Sequence, residues 1–360
     1  MSGATRGAER KMQSLTPGLV VTARKVAAVT GGLGLLLVVV LVGALGIGAL
    51  GIAWSEIVGA LFHLGARGPS ADVVGTVIFS LRMPRVLLGA LAGAGLAMAG
   101  ATFQSLSRNP LADPSILGVS SGAAFGVVVA LVLGWSRTLA GYVGLSGFAF
   151  AGAVVAALAV YVLAQVDGRL PVATLLLAGV SVSVFFSSAI TLLISIVASG
   201  ELPGILQWLM GNLPPIEYGP LGLLAVAVTG AAAWLIREAR ALNLMALGEE
   251  AATQLGVESE RVTRRLFFGG ALLVGLLVAF SGPIGFVGLI VPHVARMLFG
   301  PDNRLLIPAA ALLGGAFLVG ADTVARTVAL PGEIPVGVIT AFAGTPFFIG
   351  LLRQRYRSLG

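Results

Sequence analysis

The chain has 360 residues, of which 57% are hydrophobic and only 10% charged, whereas a soluble domain carries about 25% charged and 45–50% apolar residues; a water-soluble fold is excluded. With no cysteine there is no disulfide, thiol nucleophile or iron–sulfur site. The net charge of +7 does not point to nucleic acid, because the basic residues lie between apolar spans and not on one amphipathic face.

A helix needs about 20 apolar residues to cross the hydrocarbon core. Such segments recur at approximately 30–53, 85–105, 115–134, 145–164, 172–198, 219–236, 265–280, 284–299, 307–327 and 336–353. The expectation is an all-α polytopic membrane protein of about ten transmembrane helices, with a cytoplasmic tail over 1–25 and a single transmembrane domain over 26–360. The first apolar run, Val26 to Trp54, follows Arg24 and Lys25 but exceeds the 7–15 residues of a signal h-region, so it reads as a retained helix. The segment after Gly282 reads as a broken helix. Abundant glycine (51) and few aromatics (7%) suit helices that approach through small side chains.

Ten spans put both termini on one side. With the termini cytoplasmic, 17 of the 22 basic residues lie inside, as the positive-inside rule requires; Arg67, Arg82, Arg85, Arg137 and Arg326 are left outside. A weak internal echo relates Arg85, Gly89, Gly95, Leu96 and Ala99 on the second span to Arg265, Gly269, Gly275, Leu276 and Ala279 on the seventh. The two spans run in opposite directions, as in an inverted repeat, although matches of Gly, Leu and Ala also arise by chance in this composition.

Missing chemistry narrows the function. No span carries an acidic residue in its central part, and none a histidine there apart from His293 near an end, which weighs against a proton-coupled carrier. No serine has an evident basic partner at bilayer depth, which weighs against an intramembrane hydrolase. The phosphate-cradling pattern G-x-x-x-x-G-K-[ST] is absent, since the only lysines are Lys11 and Lys25; if ATP drives transport, another subunit hydrolyses it. His63 and His293 are far apart. A lone histidine after Pro292 reads as structural, because a metal site needs several convergent ligands, so neither a metal site nor a bound cofactor is expected on this chain.

Three residue groups carry positive signals, each with two readings. Arg82 and Arg85, flanking Pro84, and Arg326 lie on the side the charge bias disfavours; they either snorkel to headgroups or form a socket for carboxylates of a docking protein. The sixth connection, roughly 237–265, combines Glu249, Glu250, Glu258 and Glu260 with Leu242, Leu244, Met245, Leu247 and Leu255; it is a solvated amphipathic loop or a helix seated in a partner's groove. On the fifth span Ser183, Ser187, Thr191 and Ser195 fall at four-residue steps, joined by Ser181 and Ser188. Their hydroxyls are interhelical glue or a weakly polar pathway wall.

Longer motifs add to these signals. Leu81-Arg82-Met83-Pro84-Arg85, Gln104, the run Arg108 to Pro114, and Leu117-Gly118-Val119-Ser120-Ser121-Gly122-Ala123 resemble the FecCD family of importer permeases. So do Trp208-Leu209-Met210-Gly211-Asn212, the run Leu247 to Ala252 with Leu255-Gly256-Val257, Ser281 to Leu289, Pro292-His293 with Arg296, Pro335-Val336-Gly337-Val338, and Gly344-Thr345-Pro346-Phe347. The resemblance implies a non-enzymatic permease subunit in a bacterial cytoplasmic membrane. It implies a homodimer around a central pathway, two cytoplasmic ATPase subunits that hold ATP and Mg, and an external substrate-binding protein. The cargo implied is an iron chelate, ferric siderophore or haem, as most relatives serve iron, with cobalamin the alternative; an ion-coupled secondary transporter and an intramembrane hydrolase are the rivals from other classes.

By the same resemblance Arg82, Arg85 and Arg326 receive carboxylates of the binding protein. Leu247, Gly248, Glu249, Glu250, Ala251, Leu255 and Gly256 form the coupling helix seated in the ATPase, bounded by its two glycines. Ser183, Ser187, Thr191 and Ser195 border the pathway. Two departures are visible: Asn303 stands where the family often has histidine, and Leu170-Pro171-Val172-Ala173 replaces the small hydroxyl residues found at the inner gate of cobalamin-importing members.

Overall fold

The computed structural model describes residues 21–48, 51–61, 69–134, 141–197, 200 and 202–359; Arg6, Arg10, Lys11, His63, Arg67 and Arg137 lie outside them. The regular secondary structure of the described residues is all helical, apart from one isolated bridge between Val166 and Arg169. The helices are α1 (Ala23–Gly46), α2 (Trp54–Leu61), α3 (Pro69–Thr76), a π-turn (Val77–Arg82), α4 (Met83–Leu106), a 3₁₀ turn (Pro114–Leu117), α5 (Val119–Val132), α6 (Gly141–Ala164), α7 (Val172–Ile196) and α8 (Leu202–Leu209). They continue with α9 (Tyr218–Met245), α10 (Glu249–Gln254), α11 (Ser259–Ser281), α12 (Val287–Phe299), α13 (Asn303–Thr327) and α14 (Val336–Leu359). Among the described residues seven helical runs are long and apolar enough to cross a membrane: α1, Val73–Ser107, Gly144–Ala164, α7, α9, α11 and α13. Three shorter apolar helices, Val119–Val132, Val287–Phe299 and Val336–Leu351, complete the set. All ten fall on the segments expected from hydropathy.

Boundaries differ where side chains redirect the backbone. The first helix spans Ala23–Gly46, not 30–53. Thr22 Oγ1 caps it by accepting from Lys25 N–H at 3.2 Å, and the Trp54 indole folds back against Gly46, where a Cβ would meet it at 2.7 Å. The second span starts at Val73, well before 85. Pro84 has no N–H to give a preceding carbonyl, and the helix absorbs this with a π-turn in which Met83 N–H reaches back to Ile78 O. The sixth connection is shorter than 237–265, because α9 continues to Met245 and α11 begins at Ser259. Only 246–258 lies between the two long helices.

α4 is the hub. It is buried nearly all round, packs against α9, α11, α12 and α13, and has a correspondingly small polar content. Glycines let its backbone approach its neighbours: a Cβ on Gly93 would collide with the Gly314 carbonyl on α13, and one on Gly100 with that of Gly288 on α12. α5 and α6 meet the same way through Gly122 and Gly152. The two helices of the weak sequence echo pack on each other, Gly95 of α4 against Leu277 of α11. By contrast α1 rests chiefly on α13, and its apolar window is unburied. α7 presents Leu177, Phe185, Leu192 and Ile196, all more than 60% exposed, an apolar face that needs lipid or another chain.

Candidate functional site

A cavity of about 570 Å³ opens between α5, α7 and the break that separates α11 from α12. Its polar lining is hydroxyl only: Ser115, Ser120 and Ser121 on one side, Ser183, Ser187 and Thr191 of α7 on the other. Helical spacing brings the three α7 hydroxyls to one face. The Thr191 hydroxyl donates to Ser187 O at 3.0 Å, whereas Ser183 Oγ is buried with no partner among the described residues. Ser195, expected on the same wall, is not among the lining residues; it is turned back on its own helix, donating to Leu192 O at 2.7 Å. The hydroxyls opposite α7 were missed from sequence as cavity residues, since only the fold turns the Ser120-Ser121 pair toward it.

Three interruptions of helical backbone converge beside the cavity. Ser281 ends α11, Gly282 turns with φ +64°, and Phe286 takes a left-handed φ of +68° before α12 starts. Asn212 N–H donates to Ser281 O at 2.9 Å, and Gly337 N–H at the start of α14 donates to Gly211 O at 3.3 Å. Non-helical backbone within a membrane protein is tolerated where it is buried in protein or lines a cavity. Gln104 of α4 secures the break from below. Its amide donates to Gly288 O at 3.3 Å and Leu289 O at 3.1 Å, and the first of these carbonyls is the one Pro292, lacking an N–H, leaves without a helical donor. Arg296 Nη1 in turn donates to Gln104 Oε1 at 2.9 Å. His293 lies edge-on to Phe347 with ring centroids 5.9 Å apart, and among the described residues no three His, Cys, Asp or Glu side chains come together.

At the end of the bundle where α4 begins, the three arginines gather, but they are already engaged within the chain. Arg82, 6% exposed, donates to Leu45 O at 2.7 Å. Arg326 donates to Ala44 O at 3.3 Å and Ile47 O at 3.4 Å. Both guanidiniums therefore cap the C-terminus of α1, where the helix dipole favours a cation. Arg85 forks onto Asp322 with contacts of 2.9, 3.1 and 3.2 Å and reaches Glu333 at 2.7 Å. Arg326 Nε also lies 3.0 Å from Asp322 Oδ2, an ion contact off the line of a hydrogen bond. The three arginines expected to form a docking socket thus sit in a compensated cluster, of which Arg85, through half-exposed Glu333, is the member nearest the surface. Asp322 was overlooked in the sequence, although its position four residues before Arg326 on one helix was a signal.

At the opposite end, Gly248 (φ +124°) and Gly256 (φ +86°) bound the short helix α10. Leu247 and Leu255 stand out at 69% and 59% exposure, while Ala252 is fully buried. Glu249 and Glu250 open the helix, Glu249 lying 3.9 Å from Arg108; Ala251 N-terminal to the buried face completes the stretch. Beneath it, Asn243 Oδ1 accepts from Asn303 N and Nδ2 at 2.8 and 2.9 Å, Asn243 Nδ2 donates to Asp302 at 2.8 Å, and Ser105 donates to Asn303 Oδ1 at 2.8 Å. Asn303 therefore joins the ends of α4, α9 and α13. Arg304 holds the Asp302 carboxyl down at about 2, chiefly through the hydrogen bonds at 3.0 and 2.5 Å.

An all-helical polytopic bundle with an uncharged hydroxyl cavity at a helix break, and a protruding short helix at one end, has the make-up of a membrane permease. The FecCD transport family model matches residues 35–354, and the chain belongs to that family: it is the permease subunit of an ABC importer, not itself an enzyme, and binds no cofactor. It is 45% identical to the cobalamin import system permease protein BtuC of Halobacterium salinarum over 85% of this chain and 79% of that protein. It is 37% identical to the hemin transport system permease protein HmuU of Yersinia pestis over 91% of this chain and 96% of that protein. Among solved structures, an ABC transporter assigned to the metal-chelate type, in an inward-facing conformation, superposes with a TM-score of 0.77 at 33% identity, covering 91% of this chain and 99% of that one.

Proposed function

We propose that two copies of this chain form a central pathway for a bulky metal-bearing macrocycle, cobalamin in first place, delivered from outside and driven by partner ATPases. The observation that carries this reading is the uncharged, hydroxyl-lined cavity at the α11–α12 break: a wall without fixed charge or metal ligands can pass a large chelate without holding it. The greater identity to a cobalamin permease supports the corrinoid. Family frequency favours an iron chelate, ferric siderophore or haem, and haem is the second reading, supported by the nearly full-length match to a hemin permease.

In this reading the termini and α10 face the cytoplasm. Residues 26–360 act as one permease domain after the short tail, and the exposed Leu247 and Leu255 with Glu249 and Glu250 seat the ATPase, which carries ATP and Mg. The arginine end faces outward. A docking binding protein offers carboxylates to Arg85 at the rim, while Arg82 and Arg326 keep the platform in shape by capping α1. Rim charges are screened over about 8–10 Å at ordinary salt, so docking weakens as salt rises, and Arg85→Glu adds repulsion that Arg85→Ala does not.

The test is uptake into proteoliposomes holding the permease, its ATPase and its binding protein, with labelled cyanocobalamin, haemin and a ferric siderophore offered in parallel. ATP-dependent cyanocobalamin uptake is expected. ATP-dependent haemin uptake alone would replace the first reading by the second. Uptake that follows an ion gradient with no ATPase present would overturn both.

A further inference from the structure

A side chain at the start of α11, just after the cytoplasmic segment, reaches the turn that leads into the pathway helix α7. Glu260 lies in the first turn of α11, directly after α10. Its Oε2 accepts the backbone N–H of Leu170 at 3.2 Å, a contact across 90 residues of sequence. Its Oε1 accepts from Arg264 Nη2 at 3.2 Å, and the Arg264 guanidinium lies 6.0 Å from the centroid of Tyr161 on α6. Leu170 itself is buried, so its N–H needs a partner inside the protein.

Both sides of this contact are stiff. On one side, Val166 and Arg169 exchange backbone hydrogen bonds of 3.0 and 2.9 Å around Asp167 and Gly168, whose φ values of +50° and +75° close a tight two-residue turn. Thr174 donates to Ala164 O at 2.9 Å and Pro171 O at 2.8 Å, tying the end of α6 to the start of α7. On the other side, α10 is fastened to the start of α11 by Val257 N–H to Ala252 O at 2.9 Å and by the Ser259 hydroxyl 3.4 Å from Glu249 O. A shift of α10 therefore carries Glu260 with it, and Glu260 holds the turn that begins α7. An α-helix transmits displacement along its axis as a rod, and about three to five turns further on α7 presents Ser183, Ser187 and Thr191 to the cavity.

We propose that Glu260 is a positioning residue that passes movement of the α10 segment to α7 and so to the hydroxyl-lined wall. The inference rests on α10 being the ATPase seat. Glu260→Asp keeps the charge at the helix N-terminus but withdraws the carboxylate by about one C–C bond length, ~1.5 Å, enough to lose Leu170. Glu260→Gln keeps both reach and acceptor.

The experiment uses the assembled transporter with its ATPase in nanodiscs, with Thr191→Cys as the single cysteine. Its reaction with a water-soluble maleimide is followed without nucleotide and with ATP–vanadate. The expected result is that Glu260→Asp keeps the ATPase attached and its basal hydrolysis within about two-fold. The nucleotide-dependent change in labelling rate falls at least about five-fold, and Glu260→Gln retains most of that change. Melting temperature in the same preparations verifies that each variant is folded. A parent-like labelling response in Glu260→Asp, or equal loss in Asp and Gln, overturns the inference. Leu247→Asp tests the seat separately: full ATPase attachment in that variant removes the seat and the inference together, whereas a parent-like Glu260→Asp removes the inference alone.

Discussion

Replacing Asp322 by alanine removes the one carboxylate shared by two nearly buried guanidiniums. Asp322 is 2% exposed by side chain, Arg326 6% and Arg85 11%. The cost of breaking a buried ion pair by deleting one partner is about 3–5 kcal/mol, because the remaining charge stays desolvated without compensation. Here two like charges are left beside each other. Glu333 offers the internal comparison: it pairs with the same Arg85 at 2.7 Å but is 51% exposed, and an exposed pair contributes about 0–1 kcal/mol. At roughly 2 °C per kcal/mol, the lower end of the range for large domains, Asp322→Ala should lower the melting temperature in detergent by about 6–10 °C, and Glu333→Ala by no more than about 2 °C. Asp322→Asn should fall between them, since the amide oxygen still accepts from Arg85. Combining Asp322→Ala with Arg326→Ala should return part of the loss, the coupling between contacting residues being about 0.5–3 kcal/mol. Equal melting of Asp322→Ala and Glu333→Ala would refute the account of the cluster as a buried, mutually compensated unit.

Gly93→Ala should destabilise by about 1–3 kcal/mol through overpacking, because its Cβ would collide with backbone at Gly314; Gly230→Ala, with nothing within 4 Å, is the neutral control in the same melts. Ser187→Trp should fill the cavity and slow ATP-dependent uptake while crosslinking reports the same assembly as the parent; parent-like uptake would make the α7 hydroxyls packing groups. The Asp302 carboxyl, held at about 2, lies below the ordinary unfolded value, so its contribution is fully present above about pH 4 and is lost as pH falls toward 2. Thermal stability should accordingly show no Asp302-dependent change between pH 5 and 8, and Asp302→Asn should remove part of the acid limb seen below pH 4.

The glycine-bounded helix at Glu249–Gln254 was implied by the family resemblance, whereas ten apolar segments and the broken helix after Gly282 were legible in the residues themselves. Each depends on composition or local backbone chemistry that acts over one helix or less: spans need enough apolar length, and turns need residues that accept a positive φ. Helix ends were less legible, as at Val73–Ser107 and Ala23–Gly46, where Pro84 and Trp54 act on backbone several residues away. The weak echo between the second and seventh spans suggested an inverted repeat and carried no information on the contact of Gly95 with Leu277 that the fold makes. What only the tertiary structure decided is which polar groups meet. Ser183, Ser187 and Thr191 were visible as a stripe, but the serines opposite them come from a separate turn and helix. The arginines were visible as charge on the disfavoured side, but the partners they find are set by packing: Asp322 reaches Arg85 from 237 residues away and the Ala44 carbonyl reaches Arg326 from 282. A polar group in a membrane bundle must find its partner within the protein, and which partner it finds depends on how whole helices pack, a property that no local stretch of the chain contains.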